Sequence, residues 1–353
     1  MATLNVAILG QGRSGRDIHG AYLSKNPEHF RIVATVDLIE ERRQRSAKEY
    51  GCDVYADYRE LMKRTDIDLV VNALPSHLHV PVTLEFLKAG FNVLCEKPLA
   101  HTVADVNRLI AASQRSGKVL AVFQQSRYAP YFVQIQKVIA SGVLGRIVQI
   151  NMAWNGFARR WDWQTLQRMN GGNLLNTGPH PLDQALHLYG EGMPKVFCRM
   201  DRVNTYGDAE DHVKLILTGD GHPLIDLEIS SCAPFPGFLY DIYGSRGGLR
   251  ATMTSVEWKY FVPEEAPEQK LIVDPLSKPD GTPAYCSEQL PWREEKWTPS
   301  EADGGAFTTA TGGLYGQLYR TLTTGVPLEV TPQQVRRQIA VIEECRRQNP
   351  HIY

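Results

Sequence analysis

The stretch Leu4-Asn5-Val6-Ala7-Ile8-Leu9-Gly10-Gln11-Gly12-Arg13-Ser14-Gly15 decides how the first part of this 353-residue chain folds. Its apolar start predicts a short buried strand, and the Gly-x-Gly-x-x-Gly spacing that follows predicts a tight turn into a helix. Backbone N–H groups at such a helix start can approach a pyrophosphate closely. The same spacing occurs in ordinary strand-to-helix turns, so it gains weight only from residues elsewhere.

Asp37 is the first such residue. It lies 22 positions after Gly15, at the end of a second predicted strand over residues 31–37. A carboxylate there accepts hydrogen bonds from the adenosine ribose and repels a 2′-phosphate, so the sequence predicts NAD in preference to NADP. Arg42 and Arg43 are close enough in sequence to keep NADP as the alternative. The predicted cofactor contacts of this region are Gly10, Gln11, Gly12, Arg13, Ser14, Gly15 and Asp37.

Strands and helices alternate through the first domain. Further strands are predicted over 69–73, 91–95 and 119–122, with helices near 78–89 and 102–117. This alternation is typical of a doubly wound parallel sheet. We therefore predict a dinucleotide-binding Rossmann domain, α/β in class, over residues 1–125.

The pattern changes after about residue 145. Longer strands of alternating polarity, 211–217 and 224–229 around an Asp220-Gly221 turn, predict an open, mostly antiparallel sheet. We assign residues 126–330 to an α+β domain for substrate binding and oligomerisation. Seven prolines within 262–305 predict an extended excursion. Residues 331–353 are predicted to form a C-terminal helix that packs back toward the Rossmann domain, with a stripe formed by Val335, Ile339, Ile342 and Cys345.

Composition limits the classes of function. The chain is 43% hydrophobic and 22% charged, and its 38 basic and 39 acidic residues give a net charge of -1. No excess of cations is available for a nucleic-acid backbone, and no run approaches the about 18 apolar residues of a membrane span. The start of the chain lacks the pattern of a signal peptide, so a cytoplasmic location is expected.

Two features argue against a metal or redox site. The six cysteines lie far apart without a Cys-x-x-Cys pair, and we interpret them as reduced and structural. His77 and His79 are two positions apart, so on a helix they point to different sides, and no ligand cluster completes them. We predict no metal, and we place His79 beside the cofactor loop.

Glu96-Lys97-Pro98 directly follows the predicted strand 91–95. The carboxyl ends of parallel strands form the ligand-binding edge of an open sheet, so Lys97 is predicted to lie beside the nicotinamide. The proline keeps Lys97 out of helical geometry, and a cis bond before it would direct the ammonium group into the crevice. A solvated turn lysine is the alternative interpretation of an isolated Lys-Pro pair.

In their order and spacing, these motifs resemble the glucose-fructose oxidoreductase and inositol dehydrogenase family, Gfo/Idh/MocA. The resemblance runs nearly end to end. It rests on the glycine loop with Asp37, Pro75-x-x-x-His79, Glu96-Lys97-Pro98, Gln125-x-Arg127-Tyr128-x-Pro130, Ser141-Gly142-x-x-Gly145, Gly171-Gly172-x(7)-His180-x-x-Asp183, Tyr243-Gly244-x-x-Gly247 and Gly325-x-Pro327.

The resemblance implies a Rossmann domain joined to an open-faced antiparallel sheet, which commonly forms the contact of a homodimer or homotetramer. It implies a carbohydrate or polyol substrate, oxidised or reduced at a secondary alcohol or ketone. It adds Leu74, Pro75, His79, Glu96, Lys97 and Gln125 to the cofactor contacts.

Lys97 and His180 map on the family's lysine and its general acid/base histidine. Imidazole suits proton transfer near neutral pH, and a desolvated ammonium group can stabilise the developing charge on the reacting oxygen. Inositol dehydrogenases carry aspartate four residues before this histidine, where this chain has Asn176. An amide can orient a hydroxyl but supplies no negative charge, so Asp183 is predicted to share the catalytic duty.

The segment before the glycine pair, Arg159-Arg160-Trp161-Asp162-Trp163, is expected to line the pocket. Tryptophan offers a flat face to a sugar ring, and arginine a fork of donors to its hydroxyls. Either tryptophan can equally be a core or interface residue. The predicted substrate contacts are Lys97, Arg127, Tyr128, Arg160, Trp161, Asn176, His180 and Asp183.

Three functions fit these residues. The leading hypothesis is an NAD-dependent dehydrogenase or reductase of a cyclic polyol, sugar or sugar derivative. The second is an NAD-using glycosidase or lyase that acts by transient C3 oxidation and elimination. A non-catalytic dinucleotide sensor is the third, which the presence of both Lys97 and His180 disfavours.

Overall fold

The computed structural model describes residues 2–300 and 305–353. Met1, and residues 301–304 of the predicted excursion and second domain, lie outside the described residues.

The first sheet has six parallel strands in the order β3-β2-β1-β4-β5-β6, which is the order of a dinucleotide-binding fold. Its central strands are apolar on both faces because helices cover both faces. The strands are β1 Leu4–Leu9, β2 Phe30–Val36, β3 Asp53–Tyr55, β4 Leu69–Asn72, β5 Asn92–Cys95 and β6 Leu120–Val122.

Among the described residues, a 3₁₀-helix, Tyr58–Lys63, lies between β3 and β4, and four longer helices lie between other strands of this sheet. The first, α1, is π-helical over Ser14–Gly20 and α-helical over Ala21–Ser24, and it starts inside the glycine loop. The others are α2 Glu40–Tyr50, α3 His79–Lys88 and α4 Val103–Ser116.

The second sheet has eight strands in the order β14-β13-β12-β11-β7-β10-β9-β8. Only the β7 and β10 pair is parallel among the pairs of the described residues. Buried and partly exposed residues alternate along β9 and β10, as expected for a sheet with one face on the core. The strands are β7 Ile147–Asn155, β8 Lys195–Asp201, β9 His212–Thr218, β10 Leu224–Ser230, β11 Tyr240–Gly244, β12 Gly247–Ala251, β13 Val256–Tyr260 and β14 Arg293–Trp297.

The second half of the chain contributes the remaining α-helices. They are α5 Pro130–Ala140, α6 Asn173–Asn176, α7 Pro179–Tyr189, α8 Ala306–Thr324 and α9 Pro332–Arg347. A capping box of Thr331 and Gln334 starts α9, which packs against α4 and β6 on one side and α7 and β8 on the other. Helix α8, which our predicted boundaries place in the second domain, shares an apolar core with β1 and β2 through Leu314, Tyr315 and Leu318.

The predicted fold class is confirmed: a parallel Rossmann-like sheet is joined to a separate, mostly antiparallel sheet. The predicted strand 31–37 lies one residue earlier, so that Asp37 follows β2. The predicted stripe on α9 is buried at all four positions. Between β13 and β14 the chain is largely exposed, and it contains a short 3₁₀-helix, Pro263–Glu265, and an isolated β-bridge between Ser277 and Pro283. None of the helices in the described ranges combines the length and apolar character needed to cross a bilayer. The exact domain boundaries stay a prediction.

Candidate active site

The glycine loop is compact and open on one side. Gly10 has a φ of +86° and donates its N–H to Val36 O over 2.7 Å. A Cβ at Gly10 would lie 2.7 Å from Ala73 O, and one at Gly15 would lie 1.8 Å from Gly10 O. A Cβ at Gly12 would meet only the Arg42 guanidinium at 3.8 Å. The loop therefore needs glycine where it touches the sheet and leaves space above Gly12, which is the geometry that a pyrophosphate requires.

Asp37 is 7% exposed and holds this loop in place. Its carboxylate accepts the N–H groups of Gln11 at 2.7 Å and Ile39 at 2.9 Å. The Arg42 guanidinium lies 3.5 Å from the same carboxylate. A carboxylate has lone pairs left for a ribose hydroxyl, so the position fits an adenosine ribose.

The loop after β4 is tied to the loop after β5 by His79. Its ring nitrogens lie 2.7 Å from Pro98 O and 2.9 Å from Leu74 O. Burial lowers the pKa of His79. The side chain of Asn72 donates to His79 O and accepts the N–H of Leu74. These contacts place Leu74 and Pro75 at the same sheet edge as Lys97.

Glu96 and Lys97 follow β5, and the Lys97–Pro98 bond is cis. Glu96 accepts the N–H of Lys97 at 3.0 Å and lies 3.2 Å from His19 Nε2. Burial raises the pKa of Glu96, but the hydrogen bond from His19, together with the Lys97 ammonium, outweighs burial and lowers that pKa below its usual range. Glu96 is therefore a buried carboxylate at neutral pH.

The ammonium group of Lys97 contacts a residue from the second half of the chain. Its Nζ donates to Asn176 O over 2.8 Å. Asn176 Oδ1 in turn accepts from Gln164 Nε2 at 3.1 Å, and Gln164 Oε1 accepts from Arg160. Burial is the main cause that lowers the pKa of Lys97, and the charges of Arg13 and Arg160 add to it while Glu96 opposes it.

His180 lies in the first turn of α7. The carbonyl of Pro179 accepts from Gln124 Nε2 at 3.2 Å and Gln338 Nε2 at 2.5 Å, which fixes the start of the helix. Burial, followed by the Lys97 charge, lowers the pKa of His180 to about 3. Its Nδ1 is buried and has no hydrogen-bond partner among residues 2–300 and 305–353. A neutral imidazole with an unoccupied nitrogen can accept a proton from a bound hydroxyl.

The Gly171-Gly172 corner makes this arrangement possible. Gly172 has a φ of +102°, and a Cβ at Gly171 would lie 2.4 Å from Gln164 O. Gly172 donates its N–H to Gln164 O, and Gly172 O accepts the N–H of Asn176. The corner therefore brings Gln164 against α6, where its side chain joins Asn176 to Arg160. Asn176 and His180 do not share one regular helix, because α6 ends at Asn176 and α7 begins at Pro179.

Other predicted site residues lie in different surroundings. Asp183 and Arg127 are buried and pair with each other, with Nε–Oδ2 at 2.9 Å and Nη2–Oδ1 at 2.5 Å. Tyr128 is half-buried against α8, and burial raises its pKa. Trp161 is 81% exposed. The Asp183–Arg127 pair favours a structural role for both residues, and their predicted roles at the substrate stay predictions.

A cavity of about 420 Å³ adjoins α6 on the side of Asn173 and Thr177. Its walls combine apolar and hydrogen-bonding groups, among them Trp154, whose buried Nε1 has no hydrogen-bond partner in the part of the chain that the structure describes. The volume is in the range of small-molecule sites. No group of three or more metal-ligating side chains occurs among the described residues.

Two family profiles match this chain. The profile described as "Oxidoreductase family, NAD-binding Rossmann fold" matches residues 4–124, and that of the GFO/IDH/MocA C-terminal domain matches residues 132–250. The protein belongs to the Gfo/Idh/MocA family of oxidoreductases, and its first domain is an NAD-binding domain.

The curated relatives differ in activity. The 2,7-anhydro-N-acetylneuraminate hydratase of Mediterraneibacter gnavus is 29% identical over 267 residues, which is 72% of this chain and 68% of the relative. The scyllo-inositol 2-dehydrogenase (NADP(+)) of Bacillus subtilis is 31% identical over 195 residues, 55% of this chain and 53% of the relative. The match thus spans about half the length of this dehydrogenase and of two other curated oxidoreductases.

A solved structure shows the same fold over nearly the whole chain. The WlbA dehydrogenase of Bordetella pertussis, crystallised with NADH and UDP-GlcNAcA, has a TM-score of 0.79 at 19% identity, covering 99% of this chain and 96% of the other.

The residues present fit NAD. The glycine loop leaves room for a pyrophosphate, and the carboxylate of Asp37 is placed to accept from a ribose hydroxyl. The buried Oε1 atoms of Gln11 and Gln125 have no partner among the described residues and are therefore free to accept hydrogen bonds from a bound dinucleotide. Sequence reasoning missed His19, Gln124, Gln164, Gln338 and Tyr315. Of these, His19 alone carried a signal, because it lies four positions after Gly15 on the helix of the glycine motif.

Proposed function

We propose that this protein transfers a hydride between NAD and a secondary alcohol or ketone of a cyclic polyol, sugar or sugar derivative. The observation that carries the proposal is the approach of the Lys97 ammonium group to Asn176 O at 2.8 Å, in the same cluster as a neutral His180 with an unoccupied buried nitrogen. NAD, when bound, supplies the hydride acceptor or donor.

The protein's own groups handle the proton and the charge. In the oxidation direction, the imidazole of His180 accepts the proton of the substrate hydroxyl while the adjacent C–H bond gives up its hydride. Lys97 donates a hydrogen bond to the reacting oxygen and stabilises negative charge on it. The cavity beside α6 receives the part of the substrate that does not react, since the Trp154 ring gives its wall an apolar face for a sugar ring.

A cyclic polyol or sugar is the proposed substrate, and two similar proteins support it. One is a scyllo-inositol 2-dehydrogenase, and the other, WlbA, was crystallised with UDP-GlcNAcA. A homodimer or homotetramer formed through the open face of the second sheet, and a cytoplasmic location, stay predictions.

The experiment that tests the proposal is a panel of inositols, sugars and sugar acids, monitored at the NADH absorbance band with NAD and with NADP. We expect an NAD-linked absorbance change with at least one member. His180→Ala should abolish that change and leave the dissociation constant of NADH unaltered. Absence of a signal across the panel with both cofactors would count against a net dehydrogenase.

A second candidate function has one observation in its favour. A relative that matches 72% of this chain is named as a hydratase, and adding water involves no net hydride transfer. The corresponding proposal is an NAD-using lyase or glycosidase that oxidises C3 transiently, eliminates the leaving group and returns the hydride. Release of the leaving group from an aryl glycoside, with no net NADH, would favour this reaction over the first.

A further inference from the structure

A buried chain of three polar side chains leads from α8 to the backbone of Lys97. The hydroxyl of Tyr315 lies 2.7 Å from His19 Nδ1, and His19 Nε2 lies 3.2 Å from Glu96 Oε1. Glu96 Oε2 accepts the N–H of Lys97 at 3.0 Å. We call Tyr315, His19 and Glu96 the relay.

Aromatic packing keeps water away from the relay. His19 and Tyr315 are fully buried, and Glu96 is 5% exposed. The ring of Phe123 meets His19 edge-on at 4.5 Å between centroids, and Tyr22 stacks on Tyr315 at 4.8 Å. A missing hydrogen bond here would leave a buried polar atom without a partner, which costs about 1–3 kcal/mol.

One arrangement of protons satisfies every atom of the relay without burying a positive charge. The Tyr315 hydroxyl donates to His19 Nδ1, and His19 Nε2–H donates to Glu96 Oε1. The other neutral tautomer would turn a lone pair of Nε2 toward the carboxylate. Tyr315 therefore selects the tautomer of His19 that supports Glu96.

Glu96 is the negative charge nearest to the Lys97 backbone, and several groups face this pair. Those around Glu96 are His19, His79, Cys95 and Tyr315, and those around Lys97 are Arg13, Arg160 and His180. The three groups beside Lys97 are cationic or neutral. Removal of the Glu96 charge would therefore leave the Lys97 ammonium beside Arg13 and Arg160 without this counter-charge.

We propose that His19 and Tyr315 are positioning residues of the hydride-transfer reaction, which keep Glu96 ionised and oriented and through it hold Lys97 at Asn176. This rests on the proposed function, since it assigns Lys97 to the reacting oxygen. Neither residue touches the substrate in this scheme; both act through Glu96.

The test uses the full chain and three variants. His19→Gln keeps an N–H for Glu96 and an acceptor for Tyr315, His19→Leu removes both, and Tyr315→Phe removes only the hydroxyl. His187→Leu is the matched control, because it removes an imidazole whose Nε2 contacts Gln136 on α5. The readouts are the pH profile of kcat/KM, the dissociation constant of NADH, and the tautomer of His19 from histidine-selective ¹⁵N NMR.

We expect His19→Leu to lower kcat/KM about 10- to 100-fold and to move the alkaline limb of the profile about one unit toward lower pH, because Glu96 then protonates and the pKa of Lys97 falls. His19→Gln should restore the wild-type profile, and NADH binding should change little in all variants. In the wild type, NMR should show the Nε2–H tautomer, and Tyr315→Phe should mix the two tautomers.

Equal pH profiles for His19→Leu and the wild type would overturn the proposal, as would a doubly protonated or Nδ1–H form of His19 in the wild type. If His19→Leu does not fold, the pH profile of His19→Gln and the His19 tautomer in Tyr315→Phe still test the proposal. The NMR result needs no substrate, so it separates failure of the relay from failure of the proposed function.

Discussion

The cofactor half and the substrate half of the site are built by different means. The glycine loop and Asp37 lie within one strand-helix-strand unit, and their contact joins residues 26 positions apart. Lys97 and Asn176 are 79 positions apart, Gln338 and Pro179 are 159, and His19 and Tyr315 are 296. The geometry of the cofactor half of the site is thus determined by a short stretch of sequence. The geometry of the substrate half depends on how the two sheets, α8 and α9 pack together.

This difference leaves the substrate side freer to change than the cofactor side. A dinucleotide presents the same pyrophosphate and ribose to every member of the family, so one local motif suffices. The substrate side contains two short 3₁₀ turns, Trp163–Thr165 and Gln167–Met169, followed by the four-residue helix α6. The side-chain amide of Gln164 links these turns to Asn176 at the end of α6. Changes there alter the pocket without disturbing the sheet. Four substitutions probe this contrast, in order of decreasing free-energy effect.

Lys97→Ala should have the largest effect on activity. We expect kcat to fall about 10³-fold, or about 4 kcal/mol, because the group that stabilises charge on the reacting oxygen is lost. The dissociation constant of NADH should change little, since the adenosine half rests on the glycine loop and Asp37. Steady-state kinetics and NADH fluorescence titration measure the two effects.

The matched control is Lys63→Ala, an exposed lysine of the first domain. It should retain wild-type kcat. If Lys97→Ala retains activity, Lys97 has no role in the reaction, and its contact with Asn176 does not couple the cofactor half of the site to the substrate half.

Asp183→Asn tests whether the Arg127–Asp183 pair belongs to the scaffold. Removal of one charge of a buried ion pair leaves the guanidinium uncompensated, so the free energy of unfolding should fall by about 3 kcal/mol in urea denaturation. Asp105→Asn, in an exposed pair with Arg108, should change it by less than about 1 kcal/mol. Unchanged stability with a large loss of kcat would instead support the catalytic role predicted from the sequence.

The sequence predicted the sheets, α9 and the cofactor loop because each has a local signature. Apolar spacing marked Val335, Ile339, Ile342 and Cys345, and glycine spacing marked the loop. The partner of Asp183 was not predictable, since an acidic residue one turn after His180 is compatible with a catalytic role and with an ion pair. Gln164 and Gln338 also lacked a signal, because nothing local in the sequence tells which carbonyl a glutamine amide will reach.

Asp37→Ser tests the local half. It removes the carboxylate that holds Gln11 and repels a 2′-phosphate, and it frees Arg42, which lies 3.5 Å away. We expect the ratio of the NADP and NAD dissociation constants to shift toward NADP by about tenfold or more, or about 1.4–2 kcal/mol. Asp17→Ser, an exposed change on α1, serves as the control. An unaltered ratio would mean that Asp37 only supports the loop.

Asn176→Asp sharpens the contrast from the substrate side. Aspartate can keep the hydrogen bond from Gln164 Nε2 and adds a negative charge beside Lys97. Burial and the Lys97 charge hold the pKa of His180 at about 3, and a nearby carboxylate favours the protonated imidazole, so that pKa should rise.

The sign follows from the protonation state required. Alcohol oxidation needs neutral His180, so a raised pKa moves the acid limb of kcat/KM to higher pH, by about one unit. The alkaline limb should move up as well, because the same charge stabilises the Lys97 ammonium. Profiles between about pH 3 and pH 10 measure both limbs.

Asn107→Asp adds the same charge on α4, at the contact with Arg336, and should leave both limbs in place. If Asn176→Asp moves neither limb, the side chain of Asn176 does not couple to His180 or Lys97. The departure from the family's aspartate would then concern substrate contact alone, and the low pKa of His180 would be set by burial rather than by the residue at position 176.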